Sequence, residues 1–199
     1  PPKAVVAENK PAPKISKAEP KQNPKISHSS AKNLHWTQMS DEQMREIYGN
    51  YSRDITKPYS GSAEDLNKYL KGKGVLSEQG QAFIDAQNKY GISAAVLAGI
   101  AISESGGTSS LARKRFNVTS ISSSRGWRRF NNVSECIDYT ASMLANRYVK
   151  NSGLSGVSLK TLYQINAKYC PVSDTRNNSS NNRFWAQNVE NKVREIEKA

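Results

Sequence analysis

The stretch AAVLAGIAISESGG, residues 94–107, constrains the fold more than any other. Every side chain from Ala94 to Ile102 is apolar or absent. A helix that is apolar nearly all round belongs at the centre of a domain, enclosed by other elements. It carries one carboxylate, Glu104, in its last turn, with no Lys, Arg or His within a turn of it. The pair Gly106–Gly107 then lets the chain turn away sharply. The expectation is a mainly α domain built round this helix, with a lone acid at its end.

Amphipathic helices are predicted on both sides. SDEQMREIY opens at Ser40 with Gln43 three residues on, and SAEDLNKYL opens at Ser62 with Asp65. Both spacings are capping boxes. Leu66, Tyr69 and Leu70 then share one face. A third helix is expected from Ser77 to near Gly91, and a short helical turn in TSSLARK. A long helix is expected from Ser134 through ECIDYTASMLANRYV, another from Ser158 through LKTLYQINAKY, and a closing one in RFWAQNVENKVREIE. Between residues 115 and 133 the texture changes. Val118, Thr119 and Ile121, then Trp127 and Phe130, suggest a small irregular hairpin. CPVSDTRNNSSNN reads as a loop.

Residues 1–35 hold six of the eight prolines, seven lysines and almost no large apolar side chain. Such a segment cannot bury enough surface to offset its ordering, so it reads as an extended linker, leaving 36–199 as the folded domain. With no initiator Met, the chain reads as part of a longer polypeptide with a further domain upstream. The net charge is +12, and +7 of it remains once the linker is set aside. Such a surface draws anionic partners. Nucleic acid is disfavoured, because the basic residues form no helix-turn-helix or zinc-finger pattern. No run is long and apolar enough to span a membrane.

Both histidines, His28 and His35, precede Trp36. That disfavours Ser-His and Cys-His nucleophile pairs and His-bearing zinc sites in the body of the chain. Cys136 and Cys170 have no metal spacing and read as ordinary buried thiols, with a disulfide between them as the alternative. No Gly-rich phosphate loop is present, so neither metal nor cofactor is expected. Acid–base chemistry must fall mainly to carboxylates, Tyr or Lys. Glu104 itself admits two readings. Desolvation on its apolar side raises its pKa and gives the neutral acid that glycosidic cleavage needs. Alternatively, it accepts hydrogen bonds from backbone amides of the turn TSSL.

FIDAQNKYGISAAVLAGIAISESGGTSSLARKRFNVTSI resembles the core of the glucosaminidase domains of glycoside hydrolase family 73, which cleave the glycan strands of bacterial peptidoglycan. Glu104 with Ser105 and Gly106 is similar to the family's helix end. Gly107, Thr108 and Ser109 resemble its turn, and Asn117 with Ile121 its next stretch. RRFNNVSECIDYTASML and KYCPVSD with FWAQNVENKV resemble its later motifs. The resemblance implies a lysozyme-like α+β fold, with a helical body and a small irregular or β lobe flanking a substrate cleft. It implies hydrolysis of the N-acetylglucosamine-β-1,4-N-acetylmuramic acid linkage, with Glu104 as general acid and Tyr169 as a second catalytic group lining the cleft nearby, where it holds the sugar or stabilises developing charge. Asn117, Trp127, Phe130 and Tyr139 are the expected sugar contacts, whereas Trp185 is expected in the core. The family's second carboxylate usually lies in the lobe, but residues 105–134 contain no Asp or Glu. Glu135 is the nearest candidate for that role, although its position also suits a helix N-terminus. Asp138 and Asp174 follow it. A lytic transglycosylase or muramidase using Glu104 alone, and a wall-binding module without turnover, stand as alternatives. Peptidoglycan and anionic wall polymers are the implied partners, and the implied setting is the bacterial wall outside the cell, or a phage particle.

Overall fold

The computed structural model describes residues 34–173 and 179–199. Residues 1–33, most of the expected linker, lie outside the described residues, as does Asp174. The helices are α1 (Asp41–Tyr48), α2 (Ala63–Leu70), α3 (Gly80–Tyr90), α4 (Ala94–Ser105), α5 (Ser110–Arg115), α6 (Val133–Leu144), α7 (Leu162–Tyr169), α8 (Ser179–Asn182) and α9 (Trp185–Lys198). Strands β1 (Ser122–Ser123) and β2 (Gly126–Trp127) pair antiparallel between α5 and α6. This is the helical body with a small β lobe that the resemblance implies.

The apolar helix is central, as its composition demands. Every residue of α4 from Ala94 to Ala101 is buried. Its most extensive neighbour is α9, and α3 and α6 also pack on it. Gly99 makes the first contact possible. A Cβ there would stand 3.0 Å from Val193 Cγ2 and 3.2 Å from the Val189 carbonyl oxygen. The missing side chain lets α9 lie close, burying Val189, Val193 and Ile196. Each such side chain contributes roughly 1.5–3 kcal/mol when fully buried.

Local signals hold at α1 and α2. Ser40 Oγ accepts from the Gln43 amide at 3.2 Å, and Gln43 Oε1 accepts from the Ser40 amide at 2.8 Å. Ser62 and Asp65 repeat the exchange. Three other helix starts differ from expectation. α3 begins at Gly80 rather than Ser77, because Glu78 adopts a left-handed φ of 61° that a helix cannot contain. α6 begins at Val133, since Asn132 rather than Ser134 supplies the cap and accepts from the Glu135 amide at 2.8 Å. α7 begins at Leu162, because residues 158–160 are drawn into extended pairing. The Leu159 amide donates to the Tyr148 carbonyl, and the Ile55 amide to the Lys160 carbonyl. A π-helical turn, Ala145–Val149, continues α6.

The hairpin is smaller than the apolar pattern suggested. Val118, Thr119, Ile121 and Phe130 do not form its strands but turn inward, all buried. The hairpin itself is Ser-, Gly- and Trp-bearing and faces outward. No disulfide joins Cys136 and Cys170; Cys136 is buried as expected, whereas Cys170, at the end of α7, is only half-buried.

Candidate active site

Glu104 stands where the body meets the lobe. Gly106, left-handed at φ 58°, ends α4 and returns its amide to the Ile102 carbonyl at 2.9 Å. Gly107 follows at φ 74°, so close to the turn before α3 that a Cβ would lie 2.0 Å from the Lys73 carbonyl oxygen. Only glycine fits there, and the turn locks the end of α4 to the residue 73–75 segment.

Three other elements bring side chains to this point. From α9, Trp185 Nε1 donates to Glu104 Oε1 at 2.8 Å. From the lobe, Ser120 comes to the same carboxylate, where its hydroxyl favours the charged form. From α7, the Tyr169 ring lies 5.2 Å from the Trp185 ring, and its hydroxyl donates to the Thr119 carbonyl at 2.8 Å. Tyr169 thereby holds the peptide that carries Ser120. Below it, Thr119 Oγ1 lies 2.7 Å from Thr140 Oγ1, whose hydroxyl donates to the Cys136 carbonyl.

Glu104 remains partly exposed, yet loss of water contact is the largest influence on its carboxyl and raises its pKa above the usual value. The Trp185 and Ser120 hydrogen bonds pull the other way and are outweighed. No charged side chain is among the influences on it. Of the two readings open from sequence, the desolvated acid is therefore the one observed, with side chains rather than the amides of TSSL as its partners. Burial also pushes the Tyr169 phenol well above its usual range, and the Glu104 charge adds to this, so Tyr169 stays protonated.

The other expected site residues divide. Asn117 is fully buried and spends its amide on the lobe backbone. Its Nδ2 donates to the carbonyls of Ile121 and Arg128 at 2.8 and 2.9 Å, and its Oδ1 accepts from the Ile121 amide at 2.8 Å. It builds the lobe and has nothing left for a sugar. Phe130 is buried at 4% exposure against Tyr139, a correction of the same kind. Glu135 accepts from the Asn131 amide at 2.7 Å and completes the cap of α6. Asp138 pairs with Lys89 at 2.9 Å and accepts from the Tyr90 hydroxyl. Among the described residues, Glu104 therefore has no second carboxylate acting on it. Trp127 is 47% exposed, and Tyr139 is half-buried with the Arg128 guanidinium over its ring. Trp185 is buried as expected, but its bond to Glu104 was not foreseen.

Known proteins are similar to this chain in sequence and in fold. Residues 80–198 match the model of the Glucosaminidase family, described as mannosyl-glycoprotein endo-beta-N-acetylglucosaminidase. Bifunctional autolysins of Staphylococcus epidermidis are 37% identical over 107 residues, and one of Staphylococcus aureus strain Mu50 is 35% identical over 107 residues. These matches cover 52% of this chain but only 8–9% of those much longer proteins. The fold is similar to that of a catalytic mutant of S. aureus autolysin E in complex with the disaccharide NAG-NAM, with a TM-score of 0.63 and 20% identity over 86% of this chain and 90% of that one. Autolysin E in complex with the muropeptide NAM-L-Ala-D-iGlu gives 0.62 and 22% over the same shares. With the family's model spanning the helix-end acid, the lobe and the closing helix, the chain belongs to the glucosaminidase family.

Proposed function

We propose that this chain is a peptidoglycan glycoside hydrolase that cuts the N-acetylglucosamine-β-1,4-N-acetylmuramic acid linkage, with Glu104 as general acid. The observation that carries the reading is the Glu104 carboxyl, desolvated, under no influence from a charged side chain among the described residues, and bonded to Trp185 at the body–lobe junction. A carboxyl whose pKa is raised by burial holds its proton to higher pH than an exposed one, and a protonated carboxyl is the donor a glycosidic oxygen requires on leaving. Family membership, the autolysin relatives and the sugar-bound autolysin E structures support the same substrate.

Among the described residues no second carboxylate acts on Glu104, and this favours a substrate-assisted route over one in which a further enzyme carboxylate activates water. The Glu104 O–H gives a proton to the glycosidic oxygen as the C1–O bond breaks. The carbonyl oxygen of the substrate's own acetamido group closes on C1, in place of a second enzyme carboxylate. Water then attacks C1, the acetamido oxygen departs, and the Glu104 carboxylate takes the water's proton, which restores the acid. Tyr169, a neutral phenol, holds the Thr119–Ser120 peptide against Glu104. Trp127, exposed in the lobe, offers a ring face for a sugar, whereas the Tyr139 ring is covered by Arg128. The same reading takes residues 36–199 as the catalytic unit, 1–35 as a linker, and the bacterial wall as its place of action.

The test is to digest purified peptidoglycan with this chain and with Glu104→Gln, reduce the products with borohydride and read the new ends by mass spectrometry. Reduced N-acetylglucosamine ends that vanish with the variant are the expected result. Reduced muramic acid ends would make the chain a muramidase, and anhydro ends a lytic transglycosylase. Retention on the wall without new ends would make it a binding module.

A further inference from the structure

The lobe carries six cations, Arg113, Lys114, Arg115, Arg125, Arg128 and Arg129, in a stretch where residues 105–134 include no acid. Five are exposed and Arg128 is half-buried. Among the described residues none of the six forms an ion pair. Three are held by the lobe in other ways. Arg115 Nη1 donates to the Trp127 carbonyl at 2.9 Å, and Arg129 Nη1 to the Lys114 carbonyl at 2.8 Å. The Arg128 guanidinium sits 4.3 Å from the Tyr139 ring centroid. These contacts fix position and leave the charge unneutralised. The acids at the lobe's edge are engaged elsewhere, Glu135 in the α6 cap and Asp138 with Lys89. Beyond Tyr139, a cavity of about 270 Å³ on α6 continues the strip and is bordered by Asn146 and Arg147.

So many like charges in one small lobe repel one another and create a strong local positive potential. We propose that the lobe is a docking surface for a phosphodiester-linked anionic polymer, engaged beside the Glu104 site and independently of it. Five of the six cations are Arg, whose planar fork donates paired hydrogen bonds to phosphate oxygens. They are spread over the end of α5, the hairpin and the segment after it, so the partner must be a chain flexible enough to bend round the lobe. The lobe exposes one large aromatic, Trp127. Surfaces for single-stranded nucleic acid stack successive bases on several aromatics, so the units of this polymer are non-aromatic.

The test measures binding of the full chain to poly(glycerol phosphate) across a salt series, with hyaluronate, a single-stranded DNA oligonucleotide and dextran as comparison probes. The lobe variant is Arg113→Gln/Lys114→Gln/Arg125→Gln. Among the described residues these three side chains make no hydrogen bond or ion pair, so the fold is kept, and Tm checks it. Lys57→Gln/Lys71→Gln/Lys198→Gln removes the same charge from elsewhere on the surface. Poly(glycerol phosphate) is expected to bind tightest. The lobe variant should lose roughly tenfold or more, and its slope of log K against log salt should flatten by about 2, for three lost phosphate contacts. The lysine variant should stay within about twofold of the unmutated chain. Equal loss in both variants, or no binding by the unmutated chain, would overturn the proposal. So would hyaluronate binding as tightly, and DNA binding as tightly would make the lobe a nucleic-acid surface. The probe contains no glycosidic bond, so this result and the outcome of peptidoglycan digestion are independent.

Discussion

Trp185 Nε1 donates to Glu104 Oε1 across 2.8 Å, joining side chains 81 residues apart. The bond favours the charged carboxylate and so moderates the upward push of burial. Trp185→Phe keeps the ring and removes the donor. The Glu104 pKa should rise further, and the alkaline limb of the activity–pH profile should move to higher pH. The general acid is also less well aimed, so kcat should fall roughly tenfold or more, the equivalent of a hydrogen bond to a charged group worth about 1.5–3 kcal/mol. Steady-state kinetics from acid to alkaline pH measures both effects.

Glu104→Gln should abolish turnover and stabilise the fold at neutral pH. The sign follows from the raised pKa: the folded state prefers the protonated acid. That preference contributes its full stability below the unfolded value and is lost as pH rises through the folded one. Above that point the folded chain holds a desolvated charge, which the amide lacks, while the amide oxygen can still accept from Trp185. The variant's Tm should exceed that of the unmutated chain near pH 7 and approach it on acidification. A gain near 1 kcal/mol would appear as roughly 2–4 °C in a chain of this size.

Ser120 holds a left-handed φ of 56° while its hydroxyl faces Glu104. A residue with a Cβ pays roughly 1–2 kcal/mol for that conformation. Ser120→Gly should therefore raise stability and lower kcat together, since it relieves the backbone and removes the hydroxyl. Ser120→Ala should lower kcat to a similar degree without the gain in stability. Denaturant midpoints beside kcat values separate the two contributions, and a fully active Ser120→Ala would show that the hydroxyl does not matter.

Asn117→Ala leaves the Ile121 amide and the Arg128 carbonyl without their partner inside the lobe, while the Ile121 carbonyl keeps only the Arg128 amide as donor. Each unsatisfied buried group costs about 1–3 kcal/mol. The expected result is loss of several kcal/mol by denaturant unfolding, with hydrogen exchange rising first in residues 117–128. Unchanged protection there would mean that the hairpin is held by other contacts.

What was legible in the sequence was what short-range physics decides. The apolar run of α4 forces a central helix, and its acid is visible because nothing nearby in sequence neutralises it. Ser40–Gln43 and Ser62–Asp65 are cap signals that act over three residues. The start of α7 was misread because residues 158–160 are drawn into pairing with segments far away in the chain, which outweighs local preference. Asn117 resembles any polar loop residue until its three partners are seen. Trp185 reads as core from its helix face, and its indole N–H finds Glu104 only once α9 packs on α4. The six lobe cations were plain to see, but their freedom from ion pairs depends on where Glu135 and Asp138 turn.

The close seat that Gly99 gives α9 has a consequence in time. A ribosome delivers α4 well before α9, so an emerging chain bears Glu104 with neither indole nor neighbouring helix against it. Until α9 arrives, the acid is bathed in water and titrates like any surface carboxylate, so it is ionised at neutral pH. On the proposed function, the raised pKa of the acid is acquired only as the domain finishes folding, and a growing or clipped chain lacking α9 should show no turnover.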